Sequence, residues 1–228
     1  MLLCCATGVA RADVAVTAPI ESIAGAIAAA IADRPVSVRC ENDDAWATLA
    51  AAGGFGPSQL LGFVSFSDGA PLDYAELSPD VCRSLTGFAA APAKPTKCVH
   101  TQRRVRTVVR TVRGKKLRTT TYVTIARPAE PCFADRYFAT AEALQTLAHE
   151  SIHLKGDPVE ADAECFGMQW LAYAAQQLGD SADDAHSIAQ YYATQVYPQR
   201  QTQSPAYWSA DCRQNGSLDL TPGDGAWP

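Results

Sequence analysis

The chain has 228 residues, 47% of them apolar and 19% charged. That balance supplies a buried core and excludes whole-chain disorder, collagen-like repeats and coiled coil. The net charge of −5 gives no sign of a nucleic-acid binder, but it hides a strong local asymmetry.

In chain order, Leu2 to Ala10 form an uncharged run that ends in Ala10-Arg11-Ala12. Residues 1–12 therefore read as the remnant of a secretory signal peptide, and residues 13–228 as one domain. No later segment approaches the roughly 20 apolar residues that span a bilayer. Ile20, Ile23, Ile27 and Ile31 recur at helical spacing, predicting an amphipathic helix that Pro35 ends. Val36-Ser37-Val38 alternates as a short strand into Cys40, and a helix follows from Asp44 to Ala51, stopped by Gly53-Gly54. Leu60 to Phe66 reads as one strand, closed by the turn Ser67-Asp68-Gly69. Ser78 as N-cap with Pro79 at the first helical position opens a short helix.

The next segment differs in kind. Residues 94–127 hold 11 of the 19 basic side chains and no acid, leaving 24 acids against 8 bases elsewhere. Val105 to Val112 and Leu117 to Ile125 are rich in Val, Thr and Tyr and flank Arg113-Gly114-Lys115-Lys116, so the segment reads as a β-hairpin inserted at about 98–132. One reading is a hairpin kept solvated by its charge. The other is a docking arm for an anionic cell-envelope partner. No motif for reading RNA or DNA is present.

From Phe138 the chain is predicted helical. One helix runs to Leu154 and breaks at Gly156, a second opens at Asp157-Pro158 and reaches Leu178, and a third begins at the capping-box pattern Ser181 to Asp184. Ala185, Ile188, Ala189, Tyr192 and Val196 line one face of that third helix. The tail from Ser204 is expected to pack back as an irregular segment. Six cysteines remain beyond Cys4 and Cys5, an even number with no C-x-x-C. Such scattered cysteines read as disulfides of an exported protein. Six allow 15 connectivities, and pairing in sequence order gives 40–82, 98–132 and 165–212.

One motif carries chemistry. His149-Glu150-Ser151-Ile152-His153 is an H-E-x-x-H sequence. Its two His, at i and i+4 on a helix, project from one face and can share a zinc ion, with the adjacent Glu150 placed to take a proton from water. Glu142, Gln145, Thr146, His149 and His153 form a polar stripe, and Leu144, Ala148 and Ile152 fall on another. Beyond the short Gly156-Asp157-Pro158 turn, Glu160 and Glu164 lie i, i+4 on one face of the next helix and can supply a third ligand.

These residues resemble the gluzincin-type zinc metallopeptidases, which pair H-E-x-x-H with a downstream Glu in an E-x-x-A-D/E/N context. Glu160-Ala161-Asp162-Ala163-Glu164-Cys165 fits that context, with Glu160 in the ligand place. The chain is also similar to exported actinobacterial proteins with an H-E-x-x-H-x-x-G…E-x-x-A-E-C core and a C-terminal Trp-Pro. The resemblance covers Leu147 to Gln169. The interval from His153 to Glu160 is shorter than in most gluzincins, and the third-ligand place of a metzincin falls on Val159, which cannot bind metal.

The resemblance implies an α+β, zincin-like fold: a small sheet beside the active-site helix, the basic hairpin inserted, and a helical C-terminal half. It also implies a secreted or cell-envelope metallopeptidase that hydrolyses peptide bonds through a zinc-activated water, with Glu150 as general base and His149, His153 and Glu160 as ligands. Glu164 stands as the alternative ligand or as a residue orienting a His ring. Glu160 could instead complete a capping box with Asp157, and Cys165 could be a thiolate ligand rather than a disulfide half. Tyr191, Tyr192, Tyr207 and His186 are the candidates for an oxyanion donor. Two alternatives remain open: a non-catalytic envelope-binding protein using the cationic hairpin, and a zinc hydrolase acting on cell-wall amide bonds.

Overall fold

In the computed structural model the described residues are 19–92, 94, 96–98, 101–126, 130–132, 135–225 and 227–228, with only the backbone described for part of 96–136. The region expected to be a signal peptide lies outside them.

The architecture is mixed α+β. Helix α1 (Ile20–Ala32) ends where Asp33 turns left-handed at φ 55°, and Ile27 and Ile31 are buried with Ala24 and Ala28. Strand β1 (Ser37–Cys40) leads into α2 (Asp43–Ala52), whose first turn is capped by the Asn42 side chain. The strand expected over Leu60 to Phe66 is in fact two, β2 (Gly62–Phe63) and β3 (Phe66–Ser67), in different sheets. The cause is local. Asp68 and Gly69, at φ 52° and 79°, form a two-residue turn that folds β3 back on β4 (Ala70–Pro71), and Pro71 has no N–H with which to extend the ladder.

The sequence reading missed β4 and also β5 (Tyr74–Leu77), the centre of a three-stranded sheet in the order β1-β5-β2. It pairs parallel with β1 and antiparallel with β2. Ala75 and Leu77 are buried on one face, while Arg39 stacks over the Tyr74 ring on the other, 3.5 Å from its centroid. Ser78 then caps α3 (Pro79–Ala90), with Pro79 in the first turn.

Strands β6 (Thr96–Cys98) and β9 (Glu130–Cys132) pair at the base of a long ribbon. The ribbon is β7 (Thr101–Val112) against β8 (Lys115–Ala126), twelve residues each in continuous register, turned by Arg113 and Gly114 at φ 51° and 76°.

The helical half follows as expected, with shifted boundaries. Helix α4 (Asp135–Lys155) is the hub, touching α1, α3, α5, α6 and the β2–β5 edge of the sheet. It is buried nearly all round, so its polar stripe is not solvated: Gln145, Thr146, His149 and His153 are 2–8% exposed. Gly156, at φ 112°, ends it, and the Arg34 guanidinium donates to the Leu154 and Leu72 carbonyls, tying the helix end to α1 and the sheet. Helix α5 (Glu160–Gln177) starts three residues later than Asp157, which accepts from the Val159 N–H instead of capping the helix. The capping box between Asp157 and Glu160 does not form, and Glu160 is freed to face α4.

Helix α6 (Ala182–Tyr191), capped by Ser181, passes through a π-helical turn at Tyr192–Val196 into α7 (Tyr197–Gln203). The tail closes back on α5 through Gln169, which bonds the Leu218 carbonyl and the Leu220 N–H. Disulfides Cys40–Cys82 and Cys165–Cys212 both form as expected, which removes Cys165 as a thiolate ligand. The expected 98–132 pairing falls on side chains outside the described set. Among the described residues no helix is long and apolar enough to cross a membrane.

Helices α4 and α5 meet at Gly167, where a Cβ would stand 2.9 Å from the His149 backbone nitrogen and 3.1 Å from the Gln145 amide. Gly167→Ala must spread the two helices and is expected to cost about 2 kcal/mol, roughly 4–8 °C in Tm. Gly87→Ala, in α3, meets nothing within 4 Å and is expected to gain about 0.5–1 kcal/mol. Calorimetry on the two variants checks this; equal Tm values would contradict the close helix contact.

Candidate metal centre

The H-E-x-x-H residues occupy the last two turns of α4. One turn of helix separates the two imidazoles, and their rings meet edge to face with centroids 4.7 Å apart. The tight Gly156 turn brings the Asp157 carbonyl back onto His153, whose Nδ1–H donates to it at 2.6 Å. The Nδ1–H of His149 donates to Glu164 Oε2 at 3.1 Å. Both Nδ1 atoms therefore carry the hydrogen, and both Nε2 atoms are left as lone pairs.

Those lone pairs face each other. His149 Nε2 and His153 Nε2 are 3.0 Å apart, and Glu160 Oε2 lies 3.0 Å from the first and 3.4 Å from the second. Three acceptors in one triangle repel unless a cation sits among them. A tetrahedral zinc with bonds of about 2.0–2.1 Å needs ligand atoms roughly 3.3 Å apart, so the triangle matches one face of such a site. Two imidazoles and one carboxylate are a donor set that fits zinc among other transition metals. His149, His153 and Glu160 form a group able to hold a metal ion.

The electrostatics express the same demand. Burial disfavours charge on His149, but hydrogen bonds from Glu160 and Glu164 outweigh it and push the ring well above the usual imidazole range. Burial likewise works against Glu160, and the two His hold its carboxyl far below the usual range. Near neutral pH His149 therefore holds a proton in the triangle while no metal is there.

Glu164 takes a different place from Glu160. It is buried and reaches the opposite ring nitrogen of His149. Gln145 Nε2 donates to its Oε2 and to its backbone carbonyl, and Tyr192 Oη and Arg200 Nε donate to its Oε1 at 2.5 and 3.2 Å. Burial raises its pKa, but His149, Arg200 and the Tyr192 hydroxyl outweigh that and keep it ionised. Arg200 also reaches Glu142 and Tyr192. The π turn makes this reach geometrically available. Eight residues of regular helix would rotate Arg200 about 80° away from Tyr192, and one inserted residue restores the common face.

Glu150 lies on the other side of the ring pair, against the sheet edge. A Cβ at Gly62 would stand 2.9 Å from Glu150 Cγ and 3.0 Å from Oε1, so only glycine at this point of β2 leaves the carboxylate room. Its Oε2 is buried without a hydrogen-bond partner, and the residue borders a cavity of about 140 Å³ lined also by Gln59 to Gly62, Gln145, His149 and Tyr207. Burial, partly offset by the two His, pushes its pKa up to about 7.

Of the four candidate oxyanion donors, only Tyr207 lines this cavity, its ring 5.6 Å from that of His149. Burial and the Glu160, Glu150 and Glu164 carboxylates raise its hydroxyl to about 12, so it stays protonated. Tyr192 is fully buried behind Glu164, Tyr191 packs on Tyr137, and His186 is exposed on α6.

The sequence reading missed Arg200 and Gly62. Arg200 had a signal, as one of only eight cations outside the basic segment. Gly62 had none, since its role exists only once β2 lies beside α4.

Compared with protein-family models, curated proteins and solved structures, the chain matches none.

A metal entering the triangle must displace the proton on His149. Apparent zinc affinity is therefore expected to rise about tenfold per pH unit between pH 6 and 8. Competition titrations against a chromophoric chelator at three pH values measure it; an affinity independent of pH would contradict the shared-proton description.

Proposed function

We propose that this protein is an exported, zinc-dependent metallopeptidase of the gluzincin type, with a zincin-like arrangement of sheet and active-site helix. The observation that carries the reading is the triangle of His149 Nε2, His153 Nε2 and Glu160 Oε2 beside a buried carboxylate that has no donor of its own. In this reading His149, His153 and Glu160 hold the zinc, and Glu164 orients His149. Zinc in such a site supplies Lewis acidity, lowering the pKa of water and polarising a carbonyl.

The chain's own residues do the rest. Glu150, which borders the cavity, accepts a proton from the attacking water; its raised proton affinity lets it hold that proton and return it to the leaving amine. The Tyr207 hydroxyl, kept protonated, donates to the oxygen on which charge develops. Two disulfides support export, since such bonds persist in oxidising compartments.

Glu150→Gln is expected to lower turnover of a peptide library by about 10²–10⁴-fold while leaving zinc content and Tm unchanged. Tyr207→Phe should cost about 10²–10³-fold in kcat. Mass-spectrometric digestion profiles read both. Undiminished cleavage by Glu150→Gln, or none by zinc-loaded wild type, would contradict the proposal.

A further inference from the structure

Among the described residues the β7–β8 ribbon contributes none to the metal centre, yet with its turn it carries 8 of the chain's 19 basic side chains and no acid. Around its turn, Arg110, Arg113, Lys115, Lys116 and Arg118 are all exposed, and no acid occurs anywhere between residues 94 and 127. The remainder of the chain is acidic and would be repelled by an anionic surface. The ribbon resolves that conflict by length. Its turn lies twelve residues, about 40 Å, beyond the first rung at Thr101 and Ala126. Charges that far apart are screened over a Debye length of about 8 Å at physiological salt, so the outer part of the ribbon can lie along an anionic surface while the acidic body is screened from it.

The register adds a second feature. Val105 pairs with Tyr122 and Val109 with Arg118, so with Thr111 opposite Lys116 these residues share one face of the ribbon. Val105, Val109 and Tyr122 are 61%, 56% and 58% exposed on that face. A soluble polyanion would have no use for them. A lipid surface would, because aliphatic and tyrosyl side chains enter the boundary between headgroups and acyl chains while neighbouring cations meet the phosphates.

We propose that the β7–β8 ribbon docks this protein on an anionic phospholipid surface by lying on this face, with Val105, Val109 and Tyr122 at the headgroup–acyl boundary and the neighbouring Lys116 and Arg118, with Arg113 at the turn, on the headgroup phosphates. The docking is independent of the metal centre.

The test is co-sedimentation of the full chain with phosphatidylcholine vesicles containing 0 or 30% phosphatidylglycerol, at 50 and 300 mM salt. Partitioning is expected only with phosphatidylglycerol. The triple variant Arg113→Gln/Lys116→Gln/Arg118→Gln should weaken it about a hundredfold at low salt. Val105→Ser/Val109→Ser should leave low-salt binding in place and remove the fraction that survives 300 mM salt. These substitutions lie on exposed ribbon positions, and an unchanged circular dichroism spectrum shows that the fold is kept. No partitioning of folded wild type at 50 mM salt would overturn the proposal. So would binding that inorganic polyphosphate competes away completely and that the Val→Ser variant leaves unchanged, since that result assigns the ribbon to a soluble polyanion.

Discussion

Two imidazole nitrogens and a carboxylate oxygen held within 3.4 Å of one another are mutually repulsive until a cation joins them, and the helical half of the chain is built to keep them together. Burying α4 on nearly every side removes the freedom of His149 and His153 to turn away. The Gly156 turn returns the chain so quickly that Glu160, the first residue of α5, lies over the pair. Arg34 ties down the end of α4, and the glycine at 167 lets α5 approach until Glu164 touches His149.

Behind the triangle stands a second layer of charge: Glu164, Arg200, Glu142 and the Tyr192 hydroxyl. An ionised carboxylate in a buried place is costly unless it is paired and hydrogen-bonded, and here Oε1 and Oε2 both find donors. The arrangement fixes the tautomer of His149 and raises its basicity, which favours a metal ligand. It also draws α7 into the site, because Arg200 reaches Glu164 only through the π turn after α6. The disulfide from Cys165 to Cys212 begins at the residue after Glu164 and fastens the tail that carries Tyr207 over the cleft.

Much of this was legible in the residues. Helical spacing in H-E-x-x-H put both imidazoles on one face, and the brief interval to Glu160 required a tight turn that a glycine could make. Pairing cysteines in sequence order matched both bonds among the described side chains, Cys40–Cys82 and Cys165–Cys212, and the valine-threonine runs around Arg113-Gly114 gave the ribbon. Other features depended on contacts far apart in sequence. Strand β5 is a short Tyr-Ala-Glu-Leu run between Pro71 and Pro79 and owes its conformation to β1, 37 residues earlier. The choice between Glu160 and Glu164 turned on which ring nitrogen each reaches, and the choice of Tyr207 over Tyr192 on burial alone. Neither is written in spacing.

The central claim is that Glu160 completes a metal triangle while Glu164 steadies it from behind. Zinc affinity and content per chain, compared across wild type, Glu160→Ala and Glu164→Gln, tests it directly. The account predicts one zinc in wild type, its loss in Glu160→Ala, and retention in Glu164→Gln with affinity about 10–100-fold weaker. Zinc kept at full strength by Glu160→Ala and abolished in Glu164→Gln would reverse the two roles, and a wild-type chain that binds no zinc would contradict the account itself.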